Sequence, residues 1–141
     1  MSEPVNDFRE LVGRMRPVLN PGTFVFCAVP PDADVSGVPA IGTFHEPEGT
    51  TVIVEESAAA RLKLTPAFRA AWITLTVHSD LEAVGLTAAV AGSLASAGIS
   101  CNVVAGVYHD HLFVPAEQGP DALEALVEMQ RRARAGGRSV P

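Results

Sequence analysis

Three groups of residues have types and spacings that chemistry can use. The first is the segment 78–85, His-Ser-Asp-Leu-Glu-Ala-Val-Gly, which links a strand-like run to an Ala-rich helical run. Free backbone N–H groups at a helix start suit a ligand carboxylate, and Asp80 or Glu82 can meet an ammonium group. The same residues can instead only finish the helix, with Ser79 or Asp80 as the N-cap and the acids favouring its dipole. Asp110, at the head of a later strand, reads from its position as a turn residue. Asn102 reads either as a ligand contact or as half of a cross-strand hydrogen bond. The candidate binding set on these grounds is Ser79, Asp80, Glu82, Val84, Gly85 and Asn102.

The second group is His109-Asp110-His111. Two histidines two apart on a strand share a face, which allows two metal bonds. No third ligand is evident unless His45 or His78 arrives by folding, so no metal is expected. The third group is Cys27 and Cys101. A nucleophilic thiol needs a neighbouring base and an electropositive setting, whereas both cysteines sit within apolar strand runs. They read as buried free thiols of a reducing cytoplasm, and no CxxC or CxxH spacing suggests a disulfide or zinc site. Glu55 and Glu56 read as a strand end and a helix start rather than a catalytic pair. No catalytic residue and no cofactor is expected.

The elements that must position these residues follow from pattern. Residues 72–77 alternate, with Ile73, Leu75 and Val77 against Thr74, Thr76 and His78. Leu86, Val90 and Leu94 then recur every four residues and give a helix a narrow apolar stripe. Ala88, Ala89, Ala91, Gly92 and Ala95 around it permit close approach to a sheet. Gly98 should end that helix in a left-handed conformation, with a strand following at once from Ile99. A third strand carries Leu112 and Val114 against His111 and Phe113, and Leu123, Leu126 and Val127 mark a second helix with Pro120 in its first turn. One sheet face is thus apolar and lies under helices. The other is expected to be polar, bearing Thr74, Thr76, Asn102 and His111, with Phe113 among them. This β-α-β-β-α order is most of a ferredoxin-like α+β sandwich.

The first half reads similarly. A leading helix over residues 3–15 places Val5, Phe8, Leu11, Val12 and Met15 on one side. Residues 23–29 form a central strand, 30–37 a loop, and 38–45 with 51–55 a hairpin around Glu46-Pro47-Glu48-Gly49. Ser57 can cap a short helix. Residues 67–79 form a long strand region that serves the first half at its start and the second at its end. The expectation is two small tandem subdomains with antiparallel sheets: 1–66 with the leading helix, 67–132, and a flexible tail at 133–141.

Composition narrows the function. The 141 residues carry a formal net charge of -6, and the ten Lys and Arg residues form no stripe within the folded part, which argues against nucleic acid as a partner. The apolar runs are too short to span a membrane, and the first residues show no signal-peptide pattern, so a cytoplasmic protein is expected.

Four stretches carry a resemblance. They are Trp72-Ile73-Thr74-Leu75, Gly85-Leu86-Thr87, Leu94-Ala95-Ser96-Ala97-Gly98-Ile99-Ser100 and Asp110-His111-Leu112-Phe113-Val114-Pro115. They resemble the ACT domain superfamily of amino-acid-sensing modules, and in particular small bacterial proteins with tandem ACT-like domains. Leu19-Asn20-Pro21-Gly22-Thr23-Phe24-Val25-Phe26 and Glu46-Pro47-Glu48-Gly49-Thr50-Thr51 extend the likeness into the first half. The chain is also similar to the ACT units of the cytosolic arginine sensor of animals, where an acidic residue at the position of Asp110 helps hold the ligand; this resemblance implies Asp110 as a further member of the candidate binding set. The resemblance implies two ferredoxin-like units and a non-catalytic regulatory module. Its expected partners are a small-molecule ligand, an amino acid, and further copies of itself in a homo-oligomer. A dimerising adaptor without ligand, or a small enzyme using Cys101, are the alternatives.

Overall fold

The computed structural model describes residues 8–76 and 85–136. The elements run α1 (Phe8–Arg14), β1 (Pro17–Leu19), β2 (Phe24–Val29), β3 (Gly42–His45), β4 (Thr50–Glu55), α2 (Glu56–Arg61), β5 (Pro66–Leu75), α3 (Leu86–Ser96), β6 (Asn102–Ala105), β7 (Asp110–Pro115), a 3₁₀ turn (Ala116–Gln118) and α4 (Gly119–Gly136). All seven strands join one sheet in the order β3-β4-β2-β5-β7-β6, and β1 also pairs with β5. Every pairing is antiparallel.

The ten-residue β5 makes two units into one sheet. Its first half pairs with β2, Phe24 lying opposite Ala70, and so completes β3-β4-β2. Its second half pairs with β7 on one edge and with β1 on the other, where Pro17 faces Leu75. β5 is therefore the last strand of one ferredoxin-like unit and the first of the next. The N-terminal β1 takes the place of a closing strand for the second unit. The leading helix α1 goes with β1 to the second unit: Val12 of α1 and Met15 just after it are fully buried in the C-terminal unit's core, beside Leu94 and Leu126. Gln130 of α4 donates to the carbonyls of Val12 and Gly13, both at 3.2 Å, and to that of Met15. These bonds satisfy acceptors that a helix end leaves free, and they hold α1 on α4 rather than on the unit it precedes in sequence.

Local chemistry explains the ends. Ala97, Gly98 and Ile99 close α3 in a Schellman cap, with Gly98 N–H to Ala95 O and Ile99 N–H to Leu94 O, both at 2.9 Å. Gly98 has φ +77, as its position requires. Strand β6 does not start at Ile99 but at Asn102, because Ile99 turns inward to pack under the helices. Helix α2 starts at Glu56, with Glu55 as N-cap and no side-chain cap, so Ser57 lies inside the helix and does not cap it. Helix α4 runs through Gly136, and the tail expected from 133 is helical over its first four residues.

The two faces of the sheet differ. One carries Val25, Cys27, Val52 and Val54 under α2, and Ile73, Leu75, Leu112 and Val114 under α1, α3 and α4. The other has no helix over it among the described residues, yet it is not the polar face the alternation suggested. Phe24, Ile53, Ala70 and Phe113 are buried there, with Phe26, Phe68 and Trp72 packed against them. Phe24 meets Trp72 edge-on at 5.2 Å, and Phe26 meets Phe113 at 5.2 Å and Phe68 at 5.6 Å. Edge-to-face rings cover one another, which is how a face without helices buries Phe113 to 3% exposure.

Candidate functional site

Asp110 opens β7 directly opposite Leu75, the last residue of β5. The chain leaves β5 beside it and re-enters the described structure at Gly85, the N-cap of α3, which has φ +109 and offers no side-chain cap. Topology therefore puts Asp110 beside the exit of the predicted binding loop. Ser79, Asp80, Glu82 and Val84 lie outside the described residues. The Asp110 carboxyl is half-buried, and burial pushes its pKa up, against the pull of His111 and His109. It forms no ion pair among the described residues. A desolvated carboxylate without a cation is an unfavourable arrangement that an incoming ammonium group would relieve.

Asn102 is not part of this cluster. It pairs with Phe113, three positions along the hairpin from the Ala105–Asp110 pair, which is roughly 10 Å at strand rise. It also points to the opposite face: Asn102 shares the open face with Phe113 and His111, whereas Asp110 has the parity of Leu112 and Val114. Its Nδ2 donates to Phe113 O at 3.4 Å, a long bond.

His111 is held by its neighbours. Trp72 Nε1–H donates to His111 Nδ1 at 3.1 Å, and Thr74 Oγ1 lies 3.3 Å from the same nitrogen. Asn20 Nδ2 donates to Thr74 Oγ1 at 2.9 Å and ties β1 to the network. Accepting from the indole makes Nδ1 the unprotonated nitrogen, so the neutral ring carries its proton on Nε2. Burial lowers the His111 pKa, His109 lowers it further, and Asp110 partly opposes them. Sequence reasoning placed His111 on this face but missed Trp72 as its partner. The signal was there: Trp72 and Thr74 share parity on one strand.

Among the described residues no group of three His, Cys, Asp or Glu side chains is placed to hold a metal. Cys27 is buried and Cys101 partly so. Burial raises both thiol pKa values, the reverse of what a nucleophile needs. No helix among the described residues is long and apolar enough to cross a membrane.

Comparison with known proteins agrees with this architecture. Residues 3–71 and residues 68–128 each match an ACT domain, and the overlap of the two matches falls on β5. No curated protein matches the chain. Among solved structures, it is similar to a Vibrio cholerae protein of unknown function, described as a possible transport protein. The two are 47% identical over 86% of this chain and 94% of that one, with a TM-score of 0.79. An Agrobacterium tumefaciens protein shares the fold at 14% identity and a TM-score of 0.64, over 83% and 90% of the two chains. So does the ligand-free regulatory subunit of aspartate kinase from Thermus thermophilus, at 13% identity and a TM-score of 0.56, over 80% and 95%.

Proposed function

The chain belongs to the ACT domain family, two of whose units it carries in tandem, and from that premise we propose that it is a non-catalytic regulatory module that binds a free amino acid. The observation that carries the reading is Asp110: a half-buried carboxylate, raised by burial, at the mouth of the loop between β5 and α3. The ligand ammonium would take Asp110, with Asp80 or Glu82 as further acceptors. The ligand carboxylate would take backbone N–H groups at Gly85 and the start of α3, with Ser79 and Val84 as further proposed contacts. The raised thiol pKa of Cys101 weighs against the alternative of a small thiol enzyme. Similarity to the Thermus regulatory subunit of aspartate kinase also favours a regulatory role.

A homo-oligomer in the cytoplasm belongs to the same proposal. Strands β3 and β6 are sheet edges, and Phe44 and Val104 on them are exposed. Open edges of this kind favour pairing with another copy.

The test is a thermal-shift screen of the common amino acids on the purified chain, repeated on Asp110→Asn. A ligand at a hundredfold excess over its Kd adds about 2.7 kcal/mol, a shift of a few degrees for a chain of this size. Asp110→Asn should weaken the hit by roughly 1.5–3 kcal/mol, the range for a charge-assisted hydrogen bond. An amino acid bound equally well by Asp110→Asn would move the site elsewhere. No hit at all would leave the dimerising adaptor as the better reading.

A further inference from the structure

A groove of about 550 Å³ crosses the open face at the end of the sheet away from Asp110. Its origin is topological. Strand β7 stops at Pro115, opposite Ala70, so among the described residues the edge of β5 before Ala70 has no strand beside it there. Across that notch stand Ser100 and Asn102, on the chain entering β6. On the other side, a register shift between Phe26 and Cys27 leaves Ala67 as the extra residue of a β-bulge. Bulges of this kind bend a strand and re-aim its side chains.

We propose that this groove is a second ligand site, separate from the Asp110 site, for an uncharged planar heteroaromatic molecule of nucleoside size. Ala28 and Ala67 make a low floor. Phe26 and Phe68 make a wall, each ring steadied by the other at 5.6 Å and 64°, and offer ring surface for a flat ligand to stack on. Polar groups stand at the two ends. At one, Asn102 makes among the described residues a single long side-chain bond, through Nδ2, which leaves its Oδ1 and second N–H to meet an acceptor–donor edge such as a nucleobase carries. Ser100 adds a hydroxyl beside it. At the other, Thr51 Oγ1 donates to Glu46 Oε1 at 2.6 Å and presents its lone pairs.

Charge decides the ligand class. Among the described residues that line it, none is ionisable apart from the Cys27 thiol, which burial keeps protonated. A ligand with a formal charge would lose water there without gaining a counter-charge. The Glu46 carboxylate behind Thr51 further disfavours anions. The volume lies within the roughly 300–1,000 Å³ range of small-molecule pockets.

Titrating the isotopically labelled full chain with adenosine, read by two-dimensional NMR and calorimetry, tests this. Saturable shifts at sub-millimolar adenosine should centre on Ala28, Ala67, Phe68, Ser100 and Asn102. Asn102→Ala, at an exposed position that leaves the fold intact, should weaken binding about tenfold, the loss of one good hydrogen-bonding partner. Phe68→Ala should weaken it at least as much, with Phe68→Tyr retaining most of the affinity. AMP should bind no more tightly than adenosine. Asp110→Asn should leave adenosine binding unchanged while reducing amino-acid binding, so the two sites stand or fall separately. The proposal is overturned by an absence of saturable shifts at millimolar adenosine, by shifts centred on Asp110, or by an Asn102→Ala variant that binds as tightly as the parent.

Discussion

Over the C-terminal half of the sheet lie three helices, which bury Val12, Met15, Leu94 and Leu126 on Ile73, Leu75, Leu112 and Val114. Over the N-terminal half lie one helix of six residues and the loop between β2 and β3, whose Val35, Val38 and Ala40 finish a much smaller core around Val25, Val52 and Val54. Where the second unit has α3, the first has only this loop. A unit so thinly covered gains its stability from the strand it shares. β5 fastens its sheet to the larger core, and Arg69 on that strand reaches both Glu56 of α2 and Glu117 beyond β7. Similar strand order therefore does not mean similar autonomy.

The comparison is most strongly tested in the two cores. Leu94→Ala, fully buried at the centre of the larger one, should cost about 2–5 kcal/mol. Val52→Ala in the smaller one should cost less, about 1–2.5 kcal/mol for two methyl groups and a smaller cavity. Because β5 runs through both, chemical denaturation of each variant should show one transition, seen alike by Trp72 fluorescence and far-UV circular dichroism. Two transitions in Val52→Ala would mean that the units unfold independently.

The helix caps sharpen it at intermediate size. Helices α2 and α3 end in the same Schellman arrangement, but the left-handed residue is Lys63 at φ +58 in the first unit and Gly98 at φ +77 in the second. Gly98→Ala should destabilise by roughly 1–2 kcal/mol, the penalty for a Cβ in that region, since nothing else lies near the added methyl. Lys63→Gly removes the same penalty but gives the unfolded chain more freedom. A net gain of about 0.5 kcal/mol is expected from the difference of those terms. Equilibrium denaturation of the pair measures both. A neutral Gly98→Ala would mean that Gly98 holds no left-handed cap in solution.

The smallest effects are electrostatic and belong to the C-terminal unit. The folded pKa of His111 lies below the usual 6.5. The unfolded chain therefore binds the extra proton first, and stability should fall as pH drops from above 6.5 toward the folded value. His111→Gln, which can still accept from Trp72, should flatten that slope across pH 5 to 7.5. Asp110 has the opposite sign. Its folded pKa is raised above 3.8, so its contribution is favourable below that value and is lost as pH rises through the folded one. Asp110→Asn should accordingly raise the melting temperature of the ligand-free protein at neutral pH. A lower melting temperature would mean that Asp110 is a structural turn residue.

Much of this was legible in the residues. Leu86, Val90 and Leu94 at spacing four marked α3 and its buried stripe, and Gly98 marked its end. Alternation in 72–75 and 111–114 marked β5 and β7 and sorted their faces. Local sterics and the alternation of strand side chains decide these features, and both act within a few residues of chain. Asp110 was singled out by resemblance to the arginine sensor; its own position at the head of a strand is equally that of a turn residue.

Other features depended on which strands met. That Asn102 and Asp110 lie on opposite faces follows from the β6–β7 register, and a single step in register would reverse it. That the open face is aromatic required Phe24, Phe26 and Phe68, which are distant in sequence from Trp72 and Phe113, to arrive beside them through the β2–β5 and β5–β7 pairings. That α1 serves the second unit was settled by Gln130 and the apolar surface of α4, more than a hundred residues away. The sequence by itself determined most of the helices and strands and their inner faces, since each needs only its own neighbours, but not β1, whose three residues Pro17–Leu19 become a strand only by pairing with β5. The tertiary structure alone decided the shared strand, the aromatic face and the division of the candidate residues between two ends of the sheet, because each is a property of long-range pairing.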